Sequence, residues 1–286
     1  MNYSLGIFST FRDEAALKLF HSIYQNIASN KIKGKIAYIF CNREYGEDDL
    51  TDRLLKEVEK YSLPLICFSS CKFQPLLRKQ GMEETRRMKR ESVPLMEWRE
   101  KYDREIIRRV ENFTVDLIVF AGYMLITSKE LCSRYDMINL HPAPPDGPKG
   151  AWEEVIWELI SQKSPEAGAM MHLVTPELDR GPVVSYYTFP IQGEEYQTLW
   201  QQLEEQLPNI TLEEIKREAY RTYPLFYKIR EEEFRREIPL VVLTLREFTA
   251  DRIKIFDKKP YYQSVKGVCL NQEIDEYWRD LCLPRS

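Results

Sequence analysis

Val115-Asp116-Leu117-Ile118-Val119-Phe120-Ala121-Gly122 is an almost unbroken apolar run closed by glycine. Its length and composition are those of a strand buried on both faces. Tyr3–Phe8 and Ile36–Cys41 repeat the pattern, and Pro64–Phe68 is a shorter version. Between them the apolar period changes. Asp13 to Ala28 carries Ala16, Leu19, Phe20, Ile23 and Ile27 at helical spacing, and Asp48 to Tyr61 reads as a second helix. Doubly buried strands alternating with helices predict an α/β fold: a Rossmann-like, largely parallel twisted sheet flanked by helices. Ligands of such sheets bind outside the carboxyl ends of the strands. Ser9, Asn42, Ser69, Gly122 and His141 are expected there.

Further along, a polar, basic segment extends to about Pro94 and a helix is expected around Trp98–Asn112. Met137–His141 reads as a strand, followed by a Pro- and Gly-dense loop to Gly150 and a helix over about Ala151–Ser161. Ala167–Val174 and Pro182–Pro190 predict a hairpin joined by Thr175–Gly181. Residues 194–236 are charged and helix-rich, and Pro239 to Ile255 suggests one more helix with room for a strand. The last thirty or so residues, with Gly267, Tyr277 and Trp278, suggest a strand-bearing tail. The expected organisation is a main domain over 1–193 and a helical extension and tail over 194–286, packed on it.

Composition narrows the function classes. Forty-one Lys plus Arg against 45 Asp plus Glu leaves a net charge of −4, which argues against a globally basic nucleic-acid binder. No apolar stretch approaches the roughly 20 residues that span a bilayer, and no basic-then-apolar leader opens the chain. Six scattered cysteines without a Cys-x-x-Cys pair suit a reduced, cytoplasmic protein. With only three histidines, no metal site is expected. Membrane and nucleic-acid partners are not expected, while a homo-oligomer is compatible with the sequence.

In Asn139-Leu140-His141-Pro142, alternate residues of a strand share a face. Asn139 and His141 therefore project together at the strand's carboxyl end. An amide donor there can stabilise a developing oxyanion and an imidazole can manage a proton. The same pair can also serve only to hydrogen-bond a loop. Asp179, in Glu177-Leu178-Asp179-Arg180-Gly181-Pro182, either makes a turn or reaches the His141 ring and stabilises its charged form.

Taken together, these segments resemble the folate-dependent formyltransferases, closest among them to the phosphoribosylglycinamide (glycinamide ribonucleotide) formyltransferases. The resemblance rests on Asn139–Pro142, on Val174-Thr175-Pro176-Glu177-Leu178-Asp179-Arg180-Gly181-Pro182-Val183, and on Val119–Met124. His172 and Asn30–Gly34 add to it. It covers about residues 3–190 and recurs weakly at Pro239–Ile255. It implies formyl transfer from 10-formyltetrahydrofolate to an amine, with Asn139, His141 and Asp179 as the catalytic set and no metal. Folate would lie against Tyr123, Met124, Leu125, Ile126, Val174, Thr175, Glu177 and Leu178, although relatives commonly carry Arg where Leu125 stands.

The implied acceptor is a phosphorylated small-molecule amine, glycinamide ribonucleotide first, which would place the protein in purine biosynthesis. Its phosphate would meet Ser9, Thr10, Phe11 and Arg12 at a helix N-terminus, with Lys149 from the Pro-rich loop. The family's glycines and usual Asn are absent from this loop, and Asp13 is equally a helix cap. Hydrolysis of the formyl-folate, and transfer to an amino sugar nucleotide or aminoacyl-tRNA, are the alternatives. The first strand's position at residue 3 argues against the hydrolases, which usually carry a preceding regulatory domain. Lys72–Arg90 holds seven basic residues against two acidic ones. Such a run is either a solvated helical face or an attractor for phosphate, polyglutamate or RNA.

Overall fold

A computed structural model describes residues 3–262 and 268–282. The apolar runs become β1 (Tyr3–Ser9), β2 (Gly34–Cys41), β3 (Leu65–Cys67), β4 (Leu117–Phe120) and β5 (Met137–His141). The hairpin expected after them is β6 (Glu166–Leu173) and β7 (Val183–Pro190), antiparallel with Gly168 opposite Thr188. With β10 (Val268–Cys269) they form a mixed, mostly parallel eight-stranded sheet in the order β10-β7-β6-β5-β4-β1-β2-β3.

The helices begin where their capping residues say they should. Asp13 accepts from the backbone N–H of Ala16 and opens α1 (Glu14–Ala28). Asp48 does the same for α2 (Asp49–Glu59) through Thr51. The stretch read as a polar segment contains a helix, α3 (Pro75–Met88), and the helix expected around Trp98–Asn112 is α4 (Val93–Val110). The first is hidden in the sequence because Gly81 is its one buried residue, so no apolar stripe marks it. Gly81 is needed for close approach: a Cβ there would lie 2.5 Å from the Leu95 nitrogen. Ser92 joins the pair, donating to the Gly81 carbonyl at 2.7 Å and capping α4.

The chain folds into two compact units. One comprises the described residues up to Asn139, with Leu173–Pro182 and Leu245–Tyr261. Its core is aromatic. Phe8 is fully buried, with ring centroids of Phe40, Tyr123 and Phe120 at 4.8, 5.4 and 5.7 Å. The strand order reverses between β1 and β4. β2 and β3 continue to one side of β1, and β4 and β5 to the other. The loops after β1 and β4 therefore part at a topological switch point, where this architecture holds ligands.

The other unit comprises Leu140–His172, Val183–Thr244 and the described residues from Tyr262 onward. It contains α6 (Trp152–Ser161), following the short α5 (Lys129–Arg134) of the first unit, then α7 (Glu194–Gln206) and α8 (Leu212–Ala219). A capping box of Thr211 and Glu214 starts α8. The helix expected over Pro239–Ile255 is the end of a longer one: α9 runs from Pro224 to Thr249 with Pro239 inside it. Proline forfeits one intrahelical bond. Packing offsets that loss, because Leu240, Val241 and Val242 are fully buried. Thr244 bonds Ser185 at 2.6 Å, and the Tyr187 hydroxyl donates to the Glu233 carbonyl.

The tail bears strands as expected and a helix besides. β8 (Ile253–Phe256) and β9 (Lys259–Tyr262) form a separate two-stranded sheet, and a helix, α10 (Asn271–Cys282), follows β10. Gly267 lies outside the described residues. No described helix is long and apolar enough to cross a membrane.

A buried carboxyl sets a pH dependence of folding. Asp103 on α4 accepts from the Ser128 backbone N–H at 2.5 Å. Burial, only partly opposed by that bond, raises it from 3.8 to about 6. The folded chain therefore holds this proton where the unfolded chain has released it. Stability from this group is complete below about pH 4 and is lost as pH rises through 6. About two pH units at roughly 1.4 kcal/mol each makes roughly 3 kcal/mol. Urea titrations from pH 4 to 7 should show Asp103→Asn flattening this trend relative to the parent. Parallel curves would assign the trend to other groups.

Candidate active site

The loop after β1 is held from within. Ser9, Thr10 and Phe11 are buried. Ser9 Oγ accepts from the Phe11 N–H, and Phe11 adopts a left-handed φ of 43°. Its carbonyl accepts from the Thr51 hydroxyl at 3.0 Å. Thr10 ties this loop to the one after β4. Its N–H donates to the Gly122 carbonyl at 3.1 Å, and its Oγ1 accepts from the Met124 N–H at 2.9 Å. Gly122 has φ +73°, and a Cβ would stand 3.1 Å from that of Ala16. Of the four residues named for phosphate in this loop, three thus build it. Arg12 is the exposed one, 3.8 Å from Asp13, which is the α1 cap.

The folate candidates divide similarly. Tyr123 is buried in the aromatic core, so any role in a pocket falls to its backbone. Burial pushes its phenol well above the ordinary value. Leu125 and Val174 are half-buried against the same core, and Ile126 is half-buried. Met124 and Leu178 are 51% and 53% exposed and offer the apolar surface a flat ring needs. Val174 donates to the Met137 carbonyl, anchoring the start of the turn beside β5.

That turn is built around Asp179. The Thr175 hydroxyl donates to the Glu177 carbonyl at 2.9 Å, and the Arg180 N–H closes on the same carbonyl at 3.4 Å. Asp179 takes the third position with φ +51°, a conformation Asp and Asn tolerate better than most residues. It is nevertheless only 9% exposed, while Glu177 and Leu178 project outward.

Asn139 and His141 share the carboxyl end of β5 as expected. His141 is 2% exposed, with the Pro148 carbonyl 2.9 Å from its Nε2. A carbonyl oxygen only accepts, so Nε2 carries a proton. The His172 ring stands edge-on at 6.3 Å. The Pro148 contact is not legible in the sequence; a loop backbone carbonyl leaves no residue-type signal. It depends on a tight turn in which the Gly147 N–H bonds the Pro144 carbonyl at 2.9 Å and Asp146 takes φ +63°. Lys149 projects into solvent from the same loop.

Beyond β2 and β3, Glu44 accepts from the Ser69 N–H at 3.0 Å and pairs with Lys72 at 3.1 Å. These bonds hold its carboxyl below the usual range. Among the described residues, no group of three or more His, Cys, Asp and Glu is arranged to hold a metal ion.

The family model described as formyl transferase matches residues 15–215, and the chain belongs to this family. Phosphoribosylglycinamide formyltransferase of Escherichia coli (strain K12) is 35% identical over 95 residues, which is 32% of this chain and 44% of the relative. The chain spans about half the length of the curated relatives it matches. Among solved structures, glycinamide ribonucleotide transformylase 1 from Symbiobacterium toebii superposes with a TM-score of 0.58 at 15% identity, covering 92% of this chain and 95% of that one. A formyltetrahydrofolate deformylase from Burkholderia mallei gives 0.57 at 14% identity, covering 92% and 71%. At such identities these two likenesses concern the fold alone.

Proposed function

We propose that the protein transfers the formyl group of 10-formyltetrahydrofolate to the amine of a phosphorylated small molecule, with glycinamide ribonucleotide the first choice. The observation that carries this reading is the pair of segments Asn139–Pro142 and Val174–Val183, in a chain that matches the formyl transferase family over residues 15–215. When bound, the folate supplies an activated formyl group, and the chain's own residues do the rest.

The Asn139 amide donates to the formyl oxygen as it gains charge, a role worth several kcal/mol in a site sheltered from water. His141, with Nε2 held on the Pro148 carbonyl, presents a fixed ring that stabilises the same oxygen or relays a proton. Asp179 holds His141 charged and receives the proton of the attacking amine through water. Exposed Met124 and Leu178, with the backbone of 123–126 and 174–178, suit a flat, hydrogen-bonding ring system. Arg12 beside the α1 N-terminus suits the acceptor's phosphate, with Lys149 as a second cation. Residues 1–193 carry this chemistry in our reading, and 194–286 extend it. The setting is purine biosynthesis in the cytoplasm.

Absorbance of released tetrahydrofolate tests the proposal. Release that requires glycinamide ribonucleotide is the expected result. Release in water alone would replace transfer with hydrolysis, and release with another amine would replace the acceptor.

A further inference from the structure

β2 and β3 end side by side on two cysteines. Cys41 pairs with Cys67 in the parallel register. Residues paired across parallel strands project to the same face, with backbones roughly 4.8 Å apart. A disulfide accepts backbone α-carbon separations of about 4.4–6.8 Å, so the two strands already stand within range. Each thiol shifts the other's proton affinity, and both cysteines are free. None of the chemistry proposed above uses them.

Their surroundings differ. Cys41 is buried, whereas Cys67 is partly exposed at the sheet's carboxyl edge. Cys41 draws the Cys67 thiol below its ordinary value, against burial and the nearby carboxylates of Glu44, Glu59 and Glu47. Cys67 and burial push Cys41 far up. One sulfur is thus accessible and thiolate-prone while its partner is protected and protonated. That is the division between an attacking and a resolving thiol.

We infer that Cys67 and Cys41 form a peroxide-sensitive dithiol, a modification site that a hydroperoxide converts to a disulfide. The Cys67 thiolate attacks one peroxide oxygen and the O–O bond breaks. Sulfur is oxidised by two electrons to a sulfenic acid, and the leaving oxygen is reduced and protonated to water or an alcohol. The Cys41 sulfur then attacks Cys67 sulfur. The S–S bond forms, the S–O bond breaks, and the hydroxyl leaves as water with the Cys41 proton. The modification touches the switch point as well. Cys41 Sγ lies 3.9 Å from the carbonyl of Thr10, the residue that joins the loops after β1 and β4. A disulfide withdraws that thiol donor.

The test is stoichiometric hydrogen peroxide on the full chain, followed by intact mass and peptide mapping. Expected is a loss of about 2 Da confined to a Cys41–Cys67 cross-link. It should survive Cys71→Ser and vanish in Cys67→Ser, which should also consume peroxide about tenfold more slowly. In Cys41→Ala the sulfenic acid should persist at Cys67, where dimedone traps it. A Cys67–Cys71 cross-link, sulfinic acid at Cys67 without a cross-link, or equal reaction at exposed Cys71 and Cys269 would each overturn the inference.

Discussion

Asn139→Ala is expected to slow formyl transfer by about 100- to 1,000-fold, with substrate affinity and folding stability nearly unchanged. The amide sits at the carboxyl end of β5, where alanine keeps the strand's register with Met137 and His141. In the proposed mechanism this removes one donor to an oxygen that becomes charged, so kcat should fall far more than KM rises. For the acid partner the informative substitution is Asp179→Asn. Its φ of +51° is one that Asn shares readily and that costs alanine roughly 1 kcal/mol or more. Asn therefore removes the charge while keeping the turn, and a loss of at least about 100-fold is expected. Turnover of either variant within threefold of the parent would remove that residue from the chemistry. Circular dichroism and urea midpoints matching the parent's would show that a loss is chemical.

The largest expected loss of stability comes from Phe8→Ala. The ring is wholly buried, stacked on Phe120 at 5.7 Å with 9° between planes and packed on Phe40 and Tyr123. Truncating such a side chain removes its transfer free energy and leaves a cavity that close-packed rings cannot fill, a cost of about 3–5 kcal/mol. β1 also carries the loop in which Thr10 bonds Met124, so the damage reaches the switch point. Denaturant unfolding is the measurement. A cost under about 1 kcal/mol would mean that the cluster collapses around the gap and contributes little by its shape.

The parts legible in the sequence are those with local causes. β1, β2, β4 and β5 announce themselves as apolar runs, and α1 and α2 begin at the aspartates that cap them. The β6–β7 hairpin follows from two strands around a Gly-Pro turn. Elements stabilised from outside themselves are less visible. α3 buries almost nothing of its own, and α9 runs through Pro239 because its apolar residues are buried elsewhere in the fold. The same division runs through the candidate site. Asn139, His141 and Asp179 are conspicuous as residue types, while the Pro148 carbonyl on His141 and the buried positions of Ser9, Thr10, Phe11 and Tyr123 are not.

From the chain alone came the alternation of doubly buried strands with helices, the family resemblance, and the residue types able to polarise a carbonyl and move a proton. These are properties of spacing and side-chain chemistry, which sequence carries directly. Folding assigned Thr10 to joining two loops, Tyr123 to the core, Met124 and Leu178 to the surface, and Cys41 to a place beside Cys67. Burial and cross-strand partners depend on segments far apart in the chain. No local pattern encodes which of them will meet.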